Sequence, residues 1–250
     1  MTSLQAEIDS NSKTFAESWI SQLESNIKSL RPEPTFTESY RRISGLNSLK
    51  SSLVGPFFSK GSAAFYFEAH NDALVSHVSA SFGSWRSALQ ALRSALENAL
   101  CSLYYKDHPV ELARWDAGTF RIGFSEMVAY FERHPLIEDV ERSIGGLQIV
   151  RKEYATLSKA VHGSAVDFRM TAGENVLLWS PDKIRAKRWA DRERRTIEGV
   201  ALLFVCIFRE HLTGAKLTPL RDMLAFMVHA TRRKAVKEVL KVSIPDLGIH

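Results

Sequence analysis

The chain has 250 residues, 45% of them hydrophobic and 24% charged, ordinary proportions that exclude a wholly disordered polymer and leave room for a sizeable core. Its formal net charge of +5 is a mild excess, so an anionic partner is implied only where the basic residues cluster. The two cysteines, Cys101 and Cys206, sit in apolar helical context with no second Cys or His at ligand spacing; they read as core thiols in a reducing compartment, with no zinc site and no disulfide framework indicated.

In chain order, the N-terminus Met1-Thr2-Ser3-Leu4-Gln5-Ala6-Glu7 lacks the basic start and apolar run of a signal peptide, and a cytoplasmic protein is expected. A first helix is predicted from about Ser3 to Leu30, stopped by Arg31-Pro32-Glu33-Pro34, and a weaker second one from Phe36 to about Lys50. Ser51 to Ser62, with Gly55-Pro56 inside it, reads as a connection. Over 63–80, Phe65, Tyr66, Ala69, Ala73 and Val75 or Ser76 recur at helical spacing, and over 83–106 Trp85, Leu89, Leu92, Leu96, Ala99, Leu100 and Leu103 form an apolar stripe.

Asp107-His108-Pro109 breaks that helix, and shorter helices are predicted at Pro109 to Trp115 and Ser125 to Arg133. Gly145-Gly146 opens a helix running through His162, with Gly163 as its C-terminal cap. A loop leads to Ser180, read as an N-cap with Pro181 at the first helical position. The rest reads as a long helix to about Leu212, one from Pro219 to His229, and a basic helix to Lys241. The apolar run Val200 to Phe208 is about half the ~20 residues of a membrane span and reads as buried core, so no membrane partner is expected. With no alternating strand pattern, the fold class is all-α, a helical bundle: a helical extension and linker over 1–62, a core over 63–170, and basic helices over 171–250 packed on it.

Two polar stripes stand out. Arg86, Gln90, Arg93, Glu97, Cys101 and Tyr104 share one face of the 83–106 helix; Leu147, Arg151, Tyr154, Ser158 and His162 share one face of the 145–162 helix. Arginine, tyrosine, serine and histidine contact phosphate and move protons, while the plain alternatives are a solvated face and a helix-capping histidine. A third stripe, Arg185, Arg188, Arg192 and Arg195 beside Trp189, can track a phosphate backbone or simply pair with Asp191, Glu193 and Glu198. Arg232-Arg233-Lys234 with Lys237 and Lys241 adds a second basic cluster. His70 and His77 read as partly buried helix residues, and Asp107-His108 as a cap or a group approaching the site. Gly-rich phosphate loops, nucleophile elbows and His-Glu-x-x-His pairs are lacking, and neither metal nor cofactor is expected.

The string Tyr154-Ala155-Thr156-Leu157-Ser158-Lys159-Ala160-Val161-His162-Gly163 resembles the signature helix of the HEPN superfamily, whose members commonly read Arg-Ser-Lys-x-Val-His-Gly there. The run from Trp85 to Leu100, followed by Tyr104-Tyr105-Lys106-Asp107-His108-Pro109, is similar to the preceding helix of HEPN-like proteins of bacterial defence and toxin systems. The resemblance spans about residues 63–170. It implies an all-α core, a homodimer formed through the signature helices, an RNA partner, a regulatory partner protein, and metal-independent endoribonuclease activity in antiviral defence or a toxin system. In that scheme His162 assists attack of the ribose 2′-hydroxyl, Ser158, Tyr154, Arg93 and Glu97 complete the catalytic group, and Arg86, Arg151, Arg185, Arg188, Arg192 and Arg195 bind RNA.

The chain departs from the family where Leu157 occupies the arginine position. Arg151 lies eleven residues before His162, about 16 Å along the helix, too far for the two to share one phosphate within a single chain. Arg93 and Arg86 are better placed if their helix packs antiparallel beside His162. Two readings stay open: an RNA-cleaving effector, or a non-catalytic HEPN-like module that binds RNA or a partner protein, with Tyr154, Ser158 and His162 as a buried polar network.

Overall fold

Prolines set the first boundaries of the chain. In the computed structural model, which describes residues 3–162, 170–172, 175–176, 179–213 and 217–248, α1 (Ser3–Leu30) ends before Pro32, and Pro34 begins α2 (Pro34–Leu49). Pro34 fits there because the first turn of a helix needs no N–H donor. Most of α1 stands clear of the core, with only Asn26 and Leu30 buried.

The serine-rich stretch expected as a connection is largely helical. A π-helical turn over Lys50–Val54 runs into α3 (Gly55–Phe57), and Leu53 and Val54 within it are buried. Ser59 then caps α4 (Lys60–Ser81) by accepting from the Ser62 N–H. Serine composition indicated a loop, but the two apolar residues decide the outcome by packing into the core. On α4 the buried position is Ser76, while Val75 is exposed.

A turn leads to α5 (Trp85–Asp107), all of whose predicted apolar stripe is buried. Gly83 makes that turn at φ +84, where a Cβ would lie 2.4 Å from the Ser180 carbonyl oxygen. The same carbonyl accepts from Trp85 Nε1 at 2.8 Å, and Ser180 N–H donates to the Gly83 carbonyl at 3.1 Å. Ser180 is therefore a tie to α5 and not the predicted N-cap.

The chain continues through α6 (Pro109–Asp116), α7 (Phe124–Glu132), a single-turn α8 (Glu141–Ile144) absent from the sequence reading, and α9 (Gly146–His162). The predicted cap Gly163 lies outside the described residues, as does the side chain of His162. A two-residue antiparallel ribbon, β1 (Thr171–Ala172) with β2 (Asn175–Val176), precedes α10 (Lys183–Ile207). Asp182 caps α10, its carboxylate accepting from the Ile184 and Arg185 N–H groups; a carboxylate beats a serine there by complementing the helix dipole as well as the free donors. The long helix stops at Ile207, and a 3-10 turn over Arg209–His211 replaces its predicted end. Then come α11 (Thr218–Met227) and α12 (Ala230–Leu240).

The result is an all-α helical bundle. Residues Thr196 to Phe208 of α10 and the turn after it are buried without interruption, making this helix the central post. Its Gly199 lets α9 approach closely, since a Cβ there would lie 2.9 Å from Val150 Cγ2. One large core draws side chains from α2 through α12, and a second cluster gathers Leu30, Phe36, Trp85, Leu89, Leu92, Leu157, Ala160, Ala186 and Trp189. Among the described residues no helix is long and apolar enough to cross a membrane.

Candidate functional site

The two polar stripes face each other across an antiparallel α5–α9 pair. Arg93 is the hub: its Nε donates to Ser158 Oγ at 3.2 Å, its Nη2 donates to Tyr154 OH at 2.6 Å, and its Nη1 lies 3.0 Å from Glu97 Oε2. Tyr154 OH donates in turn to Glu97 Oε1 at 2.9 Å. The tyrosine ring is held between the Arg93 guanidinium, 4.7 Å from its centroid, and Phe124, stacked on it at 3.4 Å. Burial first, then the Glu97 carboxylate, pushes the Tyr154 hydroxyl above its ordinary range, so it keeps its proton at neutral pH. The cluster is half-buried, with Arg93 and Glu97 side chains 25% and 30% exposed.

Arg86, two turns earlier on α5, reaches the other end of α9. Its Nη2 donates to the Val161 carbonyl at 3.0 Å, the residue before His162, and its Nε is buried with no hydrogen-bond partner among the described residues. A guanidinium suits a helix C-terminus, where carbonyls lack partners and the macrodipole is negative. A buried donor without a partner is unusual in a folded protein. Arg93 meets α9 one turn further back, at Ser158, so Arg86 is the arginine brought to the end of the signature-like helix.

Arg86 also opens onto a cleft of about 260 Å³ between α5 and α10, shared with Arg185, Arg188, Arg192 and Arg195. Its floor is apolar, with Trp85, Leu89 and Trp189 buried. Arg192 donates through Nη1 to both Glu153 carboxylate oxygens at 3.1 Å, and Arg195 lies 3.6 Å from the same carboxylate. Arg185 sits 3.6 Å from Asp182, while exposed Arg188 has no acidic partner among the described residues. The pairing foreseen with Glu193 and Glu198 is different: Glu193 binds Arg42, and Glu198 lies against Arg194 and Arg232. Glu153 is the residue missed, though a carboxylate interrupting the apolar series Val150, Leu157, Ala160 was a legible signal.

Arg151 lies apart, exposed and paired with Glu132 on α7. Leu157 is only 1% exposed and belongs to the second apolar cluster. His77 is partly buried as expected, its Nδ1 2.9 Å from Ser39 Oγ. Asp107 binds Lys106, Tyr130 and His134; these bonds and the Lys106 charge outweigh burial and hold its carboxyl well below the usual range. His108 stacks on Tyr104 instead of approaching either site. Cys101 and Cys206 are free, and burial pushes each thiol up to about 12. Among the described residues no group of three or more His, Cys, Asp or Glu is placed to hold a metal ion.

Comparison of the chain with models of protein families, with curated proteins and with solved structures found no match.

Proposed function

We propose that this protein is a HEPN-like effector of a bacterial antiphage defence or toxin system that binds RNA in the arginine-lined cleft and cleaves it without metal. The observation that carries this reading is Arg86, which touches the last turn of the signature-like helix from inside a cleft bearing four more arginines. It supplies from α5 the cation that Leu157 withholds from α9. His162 takes the proton of the ribose 2′-hydroxyl; the 2′-oxygen attacks the adjacent phosphorus and the bond to the 5′-oxygen breaks, with that oxygen protonated from water. Arg86 stabilises the charge developing on the phosphoryl oxygens, and Arg185, Arg188, Arg192 and Arg195 hold flanking phosphates. Arg93, Glu97, Tyr154 and Ser158 fix α9 against α5. A homodimer through the signature helices and a regulatory partner protein complete the proposal.

The test is RNA cleavage in the presence of chelator by the purified chain together with its natural activator. Products ending in 2′,3′-cyclic phosphate are expected, with His162→Ala inactive and Arg86→Ala slowed by about 10²–10³. Cleavage unaltered by His162→Ala sinks the mechanism. The buried Leu157 favours a second reading, a non-catalytic module that binds RNA or a partner protein. That reading expects salt-sensitive binding without turnover.

A further inference from the structure

Away from the α5–α10 cleft, a recess of about 370 Å³ lies between α2, α10 and the turn from α11 into α12. Its volume is in the range of small-molecule sites. Four arginines line it, Arg41 and Arg42 from α2, Arg194 from α10 and Arg233 from α12, against one carboxylate, Glu38. Residues 225–228 add an apolar wall, with the Phe226 ring 6.0 Å from the Arg41 guanidinium. His229 and Ala230, at the positive end of the α12 dipole, complete the lining.

How each guanidinium is used decides what the recess can do. Arg233 is committed internally: its nitrogens donate to the carbonyls of Ala225, Val228 and Pro245, tying α12 to the end of α11. Arg42 is committed at one edge only. Its side chain is 7% exposed and its Nε donates to Glu193 at 2.6 Å, yet neither Nη nitrogen has a hydrogen-bond partner among the described residues; Glu38 stays 4.0 Å from Nη1, beyond hydrogen-bond reach. An arginine buried to this degree normally has its fork occupied, and here the outer edge of the fork is what the side chain presents to the recess. Arg194 lies 3.7 Å from Glu198, a carboxylate that Arg232 shares at 3.5 Å, and Arg41 has no acidic partner among the described residues. Glu193 and Glu198 offset charge from behind, but neither takes a hydrogen bond from Arg41, Arg194 or the Arg42 Nη nitrogens. Three guanidiniums with unused donors around one recess repel one another, and an anion between them relieves the repulsion.

We infer that this recess binds a small phosphate monoester, its phosphate held by the Arg42 fork together with Arg41 and Arg194 and the rest of the molecule lying along Phe226. The planar guanidinium fork matches phosphate oxygens two at a time, and a terminal phosphate offers close to two negative charges and three acceptor oxygens to answer three cations. A backbone phosphodiester carries a single charge and continues as chain on both sides, which suits an open groove and not a recess of this size. The site does not depend on the RNA reading, since none of its residues lines the α5–α10 cleft.

The test is calorimetric titration of the full chain with adenosine monophosphate, glucose 6-phosphate and adenosine. One saturable site for a phosphate ester and none for adenosine is expected. Arg41→Gln and Arg194→Gln, neither of which removes a hydrogen bond within the fold, are each expected to weaken that site about tenfold while leaving the melting temperature of the free protein unchanged. Arg42→Lys keeps a charge beside Glu193 but removes the fork, and is expected to weaken binding further. Arg188→Glu, in the other cleft, leaves binding intact. Binding of both esters shows that the phosphate suffices; binding of adenosine monophosphate alone adds a base on Phe226. Adenosine binding as well as its monophosphate, affinity indifferent to Arg41→Gln and Arg194→Gln, or displacement by an RNA oligonucleotide with hydroxyl ends overturns the inference.

Discussion

Two arginine–glutamate pairs in this molecule share their chemistry and differ in every consequence. Arg42 and Glu193 join α2 to α10 in the interior, 2.6 Å apart with side chains 7% and 1% exposed, and Ser39 adds a further donor to the carboxylate at 3.1 Å. Arg93 and Glu97 sit one turn apart on α5, about a quarter exposed, and use their remaining bonds on Tyr154 and Ser158 of α9. The first pair is sealed, so its shared bond acts on stability alone. The second is open on one side, and its bonds to Tyr154 and Ser158 hold α9 against α5. Burial, not residue type, separates a structural ion pair from a candidate site.

The largest effect is expected where one partner of the sealed pair is removed. Arg42→Ala leaves the Glu193 carboxyl buried and unpaired and is expected to lower unfolding free energy by about 3–5 kcal/mol in denaturant titrations, whereas Arg93→Ala at the open pair is expected to stay under about 1.5 kcal/mol. Equal losses at the two pairs break the contrast.

Next comes Leu157→Arg, a substitution toward the HEPN pattern that the sequence resembles. Because Leu157 is packed among Leu89, Leu92 and Trp189, the guanidinium is buried without a partner, and a loss of about 3 kcal/mol is expected instead of a gain of cleavage. A stable variant that cleaves RNA faster contradicts the burial of that face.

The sealed pair also predicts a pH dependence. Burial, offset by Arg42 and Ser39, raises the Glu193 carboxyl from 4.5 to about 7, so the stability it contributes is present below pH 4.5 and lost as pH rises to about 7. Burial and then the Arg42 charge lower His77, whose contribution is present above pH 6.5 and lost as pH falls through its folded pKa. Below pH 6.5 the two oppose each other. Glu193→Gln removes the falling component, and its stability is expected to rise more steeply between pH 4.5 and 7 than that of the parent, measured by melting temperature at constant ionic strength.

The smallest structural effects belong to the open side. Tyr154→Phe deletes a hydroxyl that donates to Glu97 and accepts from Arg93, for an expected loss of about 1 kcal/mol by thermal denaturation. Arg188→Glu, on an exposed and acid-free position, is expected to change stability by less than about 0.5 kcal/mol while weakening RNA binding and reducing its salt slope. Unchanged RNA affinity in that variant moves the interface off the α10 cleft.

Much of the scaffold was legible in the residues. Prolines marked the end of α1 and the start of α6, the apolar stripe of α5 named its buried face, and the run Val200 to Phe208 marked the centre of the core. These signals are local: a missing N–H or a 3.6-residue period acts within one element, whatever surrounds it. Other elements were misread where a distant contact outweighed local preference, as with Leu53 and Val54 inside a serine-rich stretch, or Ser180 drawn to Trp85 and Gly83.

The candidate site divides along the same line. The sequence by itself determined which side chains lie on one face of α5, α9 and α10, because helical periodicity allows no other grouping. Only the tertiary structure decided which faces meet. It set Arg86 on the Val161 carbonyl, gathered Arg192 and Arg195 on Glu153, sealed Arg42 with Glu193, and turned Leu157 inward. Those pairings join residues between 39 and 151 positions apart, a separation bridged by the packing of whole helices and not by any local rule.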